Sequence, residues 1–208
     1  MTRRSRVASV LLSGGFGCGK TTLILQTLAA LTPAIRVGVI AAQGDPSRDG
    51  EPYSSFTNQV SHFVSGNARL LSAANLQSAL SNLQLNDLDL LLIENASFWD
   101  IPNDYDVGQD VRVLIYSIAA GDHKAAKYPE SVRWADAVVI NKLDLLTQSS
   151  FDVEKFCKDL RQLNLGIKIF IVSAISGAGM DEWIAWLRQQ LRAPKVHPAR
   201  IHYGRAHE

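Results

Sequence analysis

Four glycines fall within the first six residues of the run Gly14 to Thr21, which closes on Gly19-Lys20-Thr21 and is followed by Thr22. Gly14-x-x-x-x-Gly19-Lys20-Thr21 has the spacing of a loop that wraps a polyphosphate. Glycine lets the backbone curl so that the N–H groups of Gly15, Phe16, Gly17, Cys18 and Gly19 converge on one anion. A helix beginning there adds the positive end of its dipole. Lys20 reaches the β- and γ-phosphates as a point charge, Thr22 joins the phosphate-binding set, and the Thr21 hydroxyl is a hard oxygen ligand suited to Mg²⁺. Cys18 reads either as a reactive thiol, which needs a lowered pKa, or as a small side chain filling a tight loop.

A second pattern, Asn141-Lys142-Leu143-Asp144, ends the apolar run "AVVI" about 120 residues further on. Guanine presents two adjacent donors, and one carboxylate, Asp144, can accept both. Adenine would set a lone pair against that carboxylate, and a buried mismatch of this kind discriminates strongly. Asn141 is expected to bond the far edge of the base, with the Lys142 stem along the ring. Ser173 and Ala174 follow the next apolar run, and the turn there is expected to offer a backbone N–H to the guanine oxygen. The two patterns together predict a GTP or GDP site.

Two acids complete the chemistry. Glu94 ends the run Leu90–Ile93, and a carboxylate delivered by a buried strand must be paired, bound to metal or solvated in a crevice. The expectation is that it holds Mg²⁺, directly or through water, or orients the attacking water. Asp45 is the second candidate, with an ordinary Asp-Pro turn as its competing reading. Lys20, Asp45 and Glu94 form the expected catalytic set, and Thr21, Asp45 and Glu94 the expected Mg²⁺ ligands.

The elements that must position these residues alternate. Short β-rich runs at 7–12, 35–42, 88–93, 111–118, 136–140 and 168–173 are separated by helical spacing at 20–31, 75–83, 152–164 and 180–191. This predicts an α/β chain of the P-loop NTPase fold, with a mainly parallel central sheet and helices on both faces. Residues 43–73 and 95–110 read as long functional loops. One domain over 1–193 and a weakly ordered tail over 194–208 are expected. With 21 Lys and Arg against 20 Asp and Glu, no net field points to nucleic acid or an anionic membrane. The opening apolar run is too short for a signal-peptide core, no run is long enough to span a membrane, and two distant cysteines fit a reducing cytoplasm.

Beyond these motifs, the Glu94-Asn95 pair, Asp106-x-Gly108-x-Asp110, "GDHKAAKYP" from Gly121 to Pro129, "INKLDLL" and the late "GMDEWIAWL" are similar to the hydrogenase nickel-incorporation GTPase (HypB) family. The urease accessory GTPase is a more distant relative. The resemblance spans about Val7 to Leu191. It implies a slow Mg²⁺-dependent GTPase that dimerises with GTP bound and, with partner maturation proteins, hands nickel to a hydrogenase precursor.

The metal chemistry departs from that pattern. The family's Cys-His pair falls on Arg69 and Leu70, neither of which ligates metal, and its second cysteine falls on Ile101. Ser97 stands for a switch glycine and Gln43 for an acid, and no Cys- or His-rich segment precedes the first strand. His197, His202 and His207 recur every five residues, which is not one helical face; they read as solvated residues or as a tail site for nickel or zinc. Phe98 and Trp99 read as partner contacts or local packing. The competing function is a regulatory or scaffold G protein that carries no metal. A zinc-handling GTPase of the cobalamin-synthesis W-protein type lacks its Cys-x-Cys-Cys cluster here.

Overall fold

The computed structural model describes residues 7–42, 52–63, 73–95 and 107–192. Its elements run β1 Ala8–Gly14, α1 Lys20–Leu31, β2 Val37–Ala42, β3 Val60–Phe63, α2 Ala73–Ser81 and β4 Leu90–Glu94. They continue with β5 Val111–Ser117, α3 Lys124–Lys127, α4 Pro129–Arg133, β6 Ala137–Asn141, α5 Val153–Leu163, β7 Lys168–Ile171 and α6 Met180–Arg192. The seven strands form one sheet in the order β3-β2-β4-β1-β5-β6-β7, and every pairing is parallel.

Continuous apolar strands are what a sheet covered on both faces requires, because alternate side chains point to opposite sides. On one face Val10, Leu12, Val39, Leu92, Val113 and Val139 pack under Leu23, Ile24 and Leu28 of α1 and Trp183 and Leu187 of α6. On the other, Leu11, Ile40, Leu91 and Ile93 meet Leu76 and Ala79 of α2. Further along that face Leu114, Tyr116, Val138 and Ile140 meet Phe156 and Leu160 of α5. The Trp183 indole N–H donates to Thr27 Oγ1 at 2.9 Å, tying α6 to α1.

The chain leaves β1 toward β2 and β3 on one side and returns through β4 to β5, β6 and β7 on the other. β1 therefore sits at the switch point, where the carboxyl ends of strands in such sheets open a crevice for ligands. The register sets Leu12 opposite Glu94 and Gly14 opposite Ile115, so the loop after β1 and the acid ending β4 share one rim.

One element departs from the sequence reading. Part of the expected loop 43–73 is strand β3, paired with β2 through Val39–Val60 to Ala42–Phe63. It is too short to carry an alternation of its own, and pairing with β2 rather than local pattern makes it a strand. Among the described residues no helix is long and apolar enough to cross a membrane.

Candidate nucleotide-binding site

The loop after β1 is built around two glycines that admit no side chain. A Cβ at Gly14 would lie 2.5 Å from the Ile115 carbonyl oxygen on β5. Gly19 has φ of +91°, and a Cβ there would lie 2.4 Å from Asn141 Nδ2. Gly19 also caps α1 without a side-chain bond, and the first turn of α1 holds no acid. The leading N–H groups of a twelve-residue helix are thus left for an incoming anion.

Lys20 is buried, and its ammonium donates to the carbonyls of Gly14 at 3.1 Å and Gly15 at 3.3 Å. A buried ammonium needs such partners, and phosphate oxygens can replace them. Cys18 is buried inside the loop, with its Sγ 4.0 Å from Lys20 Nζ. Burial pushes the thiol above its ordinary pKa and Lys20 pulls it only partly back, so it stays protonated at neutral pH. Of the two readings of Cys18, the loop-filling one fits.

Glu94 lies between two hydroxyl donors from separate elements. Thr21 Oγ1 donates to Oε1 at 2.9 Å, and Tyr53 OH donates to Oε2 at 2.5 Å. The hydroxyl and carboxylate oxygens at the start of α1 are hard donors, the set Mg²⁺ takes in preference to softer metals. These residues fit Mg²⁺, with Thr21 and Glu94 able to hold it. Tyr53 escaped the sequence reading because it lies in a polar stretch without periodicity, 41 residues from its partner. Its one available signal was an aromatic hydroxyl that, once buried, needs a polar partner.

At the end of β6, Asn141 makes contacts that its motif alone does not reveal. Its amide nitrogen donates to Cys18 O at 3.0 Å and lies 3.5 Å from Gly19 O. Its amide oxygen accepts from Lys142 N at 2.7 Å and Ala174 N at 3.1 Å. The side chain is buried and bonds to backbone groups on either side, so it braces three loops together. Lys142 takes φ of +66°, and the bond from its own N–H to the Asn141 side chain offsets part of the cost of that conformation. Asp144 is exposed and accepts from the hydroxyl of buried Ser173, which orients the carboxylate while leaving lone pairs for a ligand.

Gly15, Phe16, Gly17, Cys18, Gly19, Lys20, Thr21 and Thr22 thus share a rim with Glu94, Asn141, Lys142, Asp144, Ser173 and Ala174. Asp45, Gln43, Arg69, Leu70, Ser97, Phe98, Trp99, Ile101, Asp106 and the tail histidines lie outside the described residues. Among the described residues no group of three or more His, Cys, Asp or Glu side chains could hold a metal ion.

The sheet order and the two loops define a P-loop nucleotide-binding domain. Residues 8–171 match the family described as CobW/HypB/UreG, nucleotide-binding domain, and the chain belongs to that family, on its HypB side. It is 34% identical over 174 residues to the hydrogenase maturation factor HypB of Escherichia coli (strain K12), an alignment covering 84% of this chain and 60% of that protein. The crystal structure of the hydrogenase maturation factor HypB from Archaeoglobus fulgidus superposes with a TM-score of 0.83 at 33% identity, covering 90% of this chain and 91% of the other. That of HypB from Helicobacter pylori in complex with nickel superposes with a TM-score of 0.84 at 25% identity, covering 93% and 91%. The chain spans only 60% of the length of the Escherichia coli relative.

Proposed function

We propose that the protein is a Mg²⁺-dependent GTPase that assists metal insertion into a metalloenzyme such as a nickel hydrogenase, acting through GTP-dependent pairing of two copies. The observation that carries this reading is the Asn141 brace, which joins the phosphate loop at Cys18 to the base loop at Lys142 and Ala174. Two half-sites so joined suit one ligand with a phosphate end and a base end.

In this reading Lys20 leaves the Gly14 and Gly15 carbonyls to neutralise the β- and γ-phosphates, and the uncapped start of α1 binds the phosphate oxygens. Asp144, held by Ser173, accepts both guanine donors and rejects adenine. Lys142 lies along the ring, and the Ala174 region lines the guanine oxygen. Thr21 and Glu94 hold Mg²⁺, with Asp45 as a further acid; bound there, the ion supplies charge neutralisation on the transferring phosphoryl group. Glu94 also serves to orient the attacking water. Pairing is supported by Phe16 and Ile175, large apolar side chains exposed on the loops after β1 and β7.

The relatives' names support service in hydrogenase maturation, and the nickel in the Helicobacter pylori structure supports nickel as the cargo. Arg69 and Leu70, where the resemblance implies a Cys-His pair, favour a second reading, a switch that gates its partner and carries no metal itself. Nickel and zinc titrations by calorimetry, with and without Mg²⁺ and a non-hydrolysable GTP analogue, separate the two. Tight binding confined to the GTP-analogue complex, together with a change from monomer to dimer on gel filtration, is expected for direct carriage. Dimerisation without metal binding leaves the gating reading. Failure to prefer GTP over ATP overturns both.

A further inference from the structure

We propose that Tyr53 is a positioning residue for the divalent cation of this site. It acts through Glu94: its hydroxyl fixes one carboxylate oxygen so that the other is presented to Thr21 and the ion. The inference rests on the reading above in which Thr21 and Glu94 hold Mg²⁺.

Tyr53 is anchored in three ways. Its carbonyl accepts from Phe56 N at 3.0 Å and Thr57 N at 3.2 Å, closing the turn that leads into β3. Its ring is buried in the apolar cluster that contains Ala41, Leu92 and Leu23. Its hydroxyl then meets Glu94 Oε2 at 2.5 Å, while Oε1 takes the Thr21 hydroxyl at 2.9 Å.

The two donors are not equivalent. Thr21 sits in the exposed first turn of α1 and can rotate its hydroxyl to offer a lone pair to a cation. Tyr53 is held at ring and backbone, so its O–H stays aimed at Oε2 when Oε1 changes partner. A hydrogen bond to an ionised acceptor is among the stronger ones, and a ligand held by such a bond is presented to a metal with less freedom left to lose. Tyr53 also belongs to the segment between β2 and β3, so the ion's carboxylate is tied directly to the flank of the sheet.

The test is equilibrium binding of fluorescent GDP as free Mg²⁺ is varied, for the parent, Y53F, E94A and the double variant. Y53F keeps the buried ring and loses only the hydroxyl. It is expected to leave binding in EDTA unchanged and to raise the Mg²⁺ concentration of half-maximal effect roughly tenfold. In the E94A background Y53F is expected to add nothing, a non-additivity that a purely packing role would not produce. If E94A shifts the Mg²⁺ dependence and Y53F stays within about twofold of the parent, the inference is wrong and the metal-site reading stands. If E94A itself leaves the Mg²⁺ dependence unchanged, the metal-site reading fails and the inference with it.

Discussion

Replacing Asn141 by alanine separates bracing from base reading. The substitution strips the hydrogen-bond partner from the carbonyl of Cys18 and from the N–H groups of Lys142 and Ala174. Cys18 and Ala174 are both buried. An orphaned buried group costs about 1–3 kcal/mol, and the small void admits water only in part, so about 3 kcal/mol of stability is expected to vanish. For a chain of 150–250 residues each kcal/mol moves the melting temperature by about 2–4 °C, which gives a fall of about 6–12 °C. The assay is thermal unfolding of nucleotide-free protein, with Asn141→Asp beside it. Aspartate keeps the acceptor and sets a carboxylate oxygen against Cys18 O, so it should be as damaging. An Asn141→Ala variant that melts within about 1 °C of the parent without nucleotide, yet binds GTP poorly, would refute the bracing account.

Asp144→Asn replaces an acceptor by a donor facing guanine's donors; GTP affinity should fall roughly 10²-fold in competition binding while ATP binding stays weak. A preference for GTP that survives this change means the base is read elsewhere. Burial raises the Cys18 pKa, so the folded state holds that proton more tightly than the unfolded chain. That difference costs nothing below the unfolded thiol value of about 8.5, and stability is lost progressively as pH rises from there through the higher folded value. Iodoacetamide should accordingly label Cys18 far more slowly than a free thiol between about pH 7 and 8.5, as read by mass spectrometry. Trp183→Phe removes the indole bond to Thr27, whose own hydroxyl keeps its 2.7 Å bond to Leu23 O; a loss of about 1–2 kcal/mol in urea unfolding is expected.

The parts legible in the chain were those with local pattern. Helix α1 runs from Lys20 to Leu31 as its spacing predicts, since the glycine-rich loop stops it at one end and Thr32-Pro33 at the other. The central strands were readable because burial on both faces leaves an unbroken apolar run. β3 was not readable, since only its pairing with β2 makes it a strand. The site shows the same division. The types and spacing at Gly14–Thr21 and Asn141–Asp144 announce their chemistry, whereas Tyr53 reaches Glu94 across 41 residues and Asn141 reaches Cys18 across 123. Both contacts follow from strand order, which no short stretch encodes.

That strand order also limits how the molecule can associate. β3 and β7, the two outermost strands, are four residues long, and exposed His62 and Lys168 stand on them. Flanks this short offer few unpaired backbone groups, and a lysine on an edge opposes the approach of another chain's strand. Lateral addition of a second sheet, the common route to fibrous or swapped aggregates, is thereby discouraged on both sides. Among the described residues, the end of the sheet where the loops after β1, β6 and β7 gather is left as the sociable face.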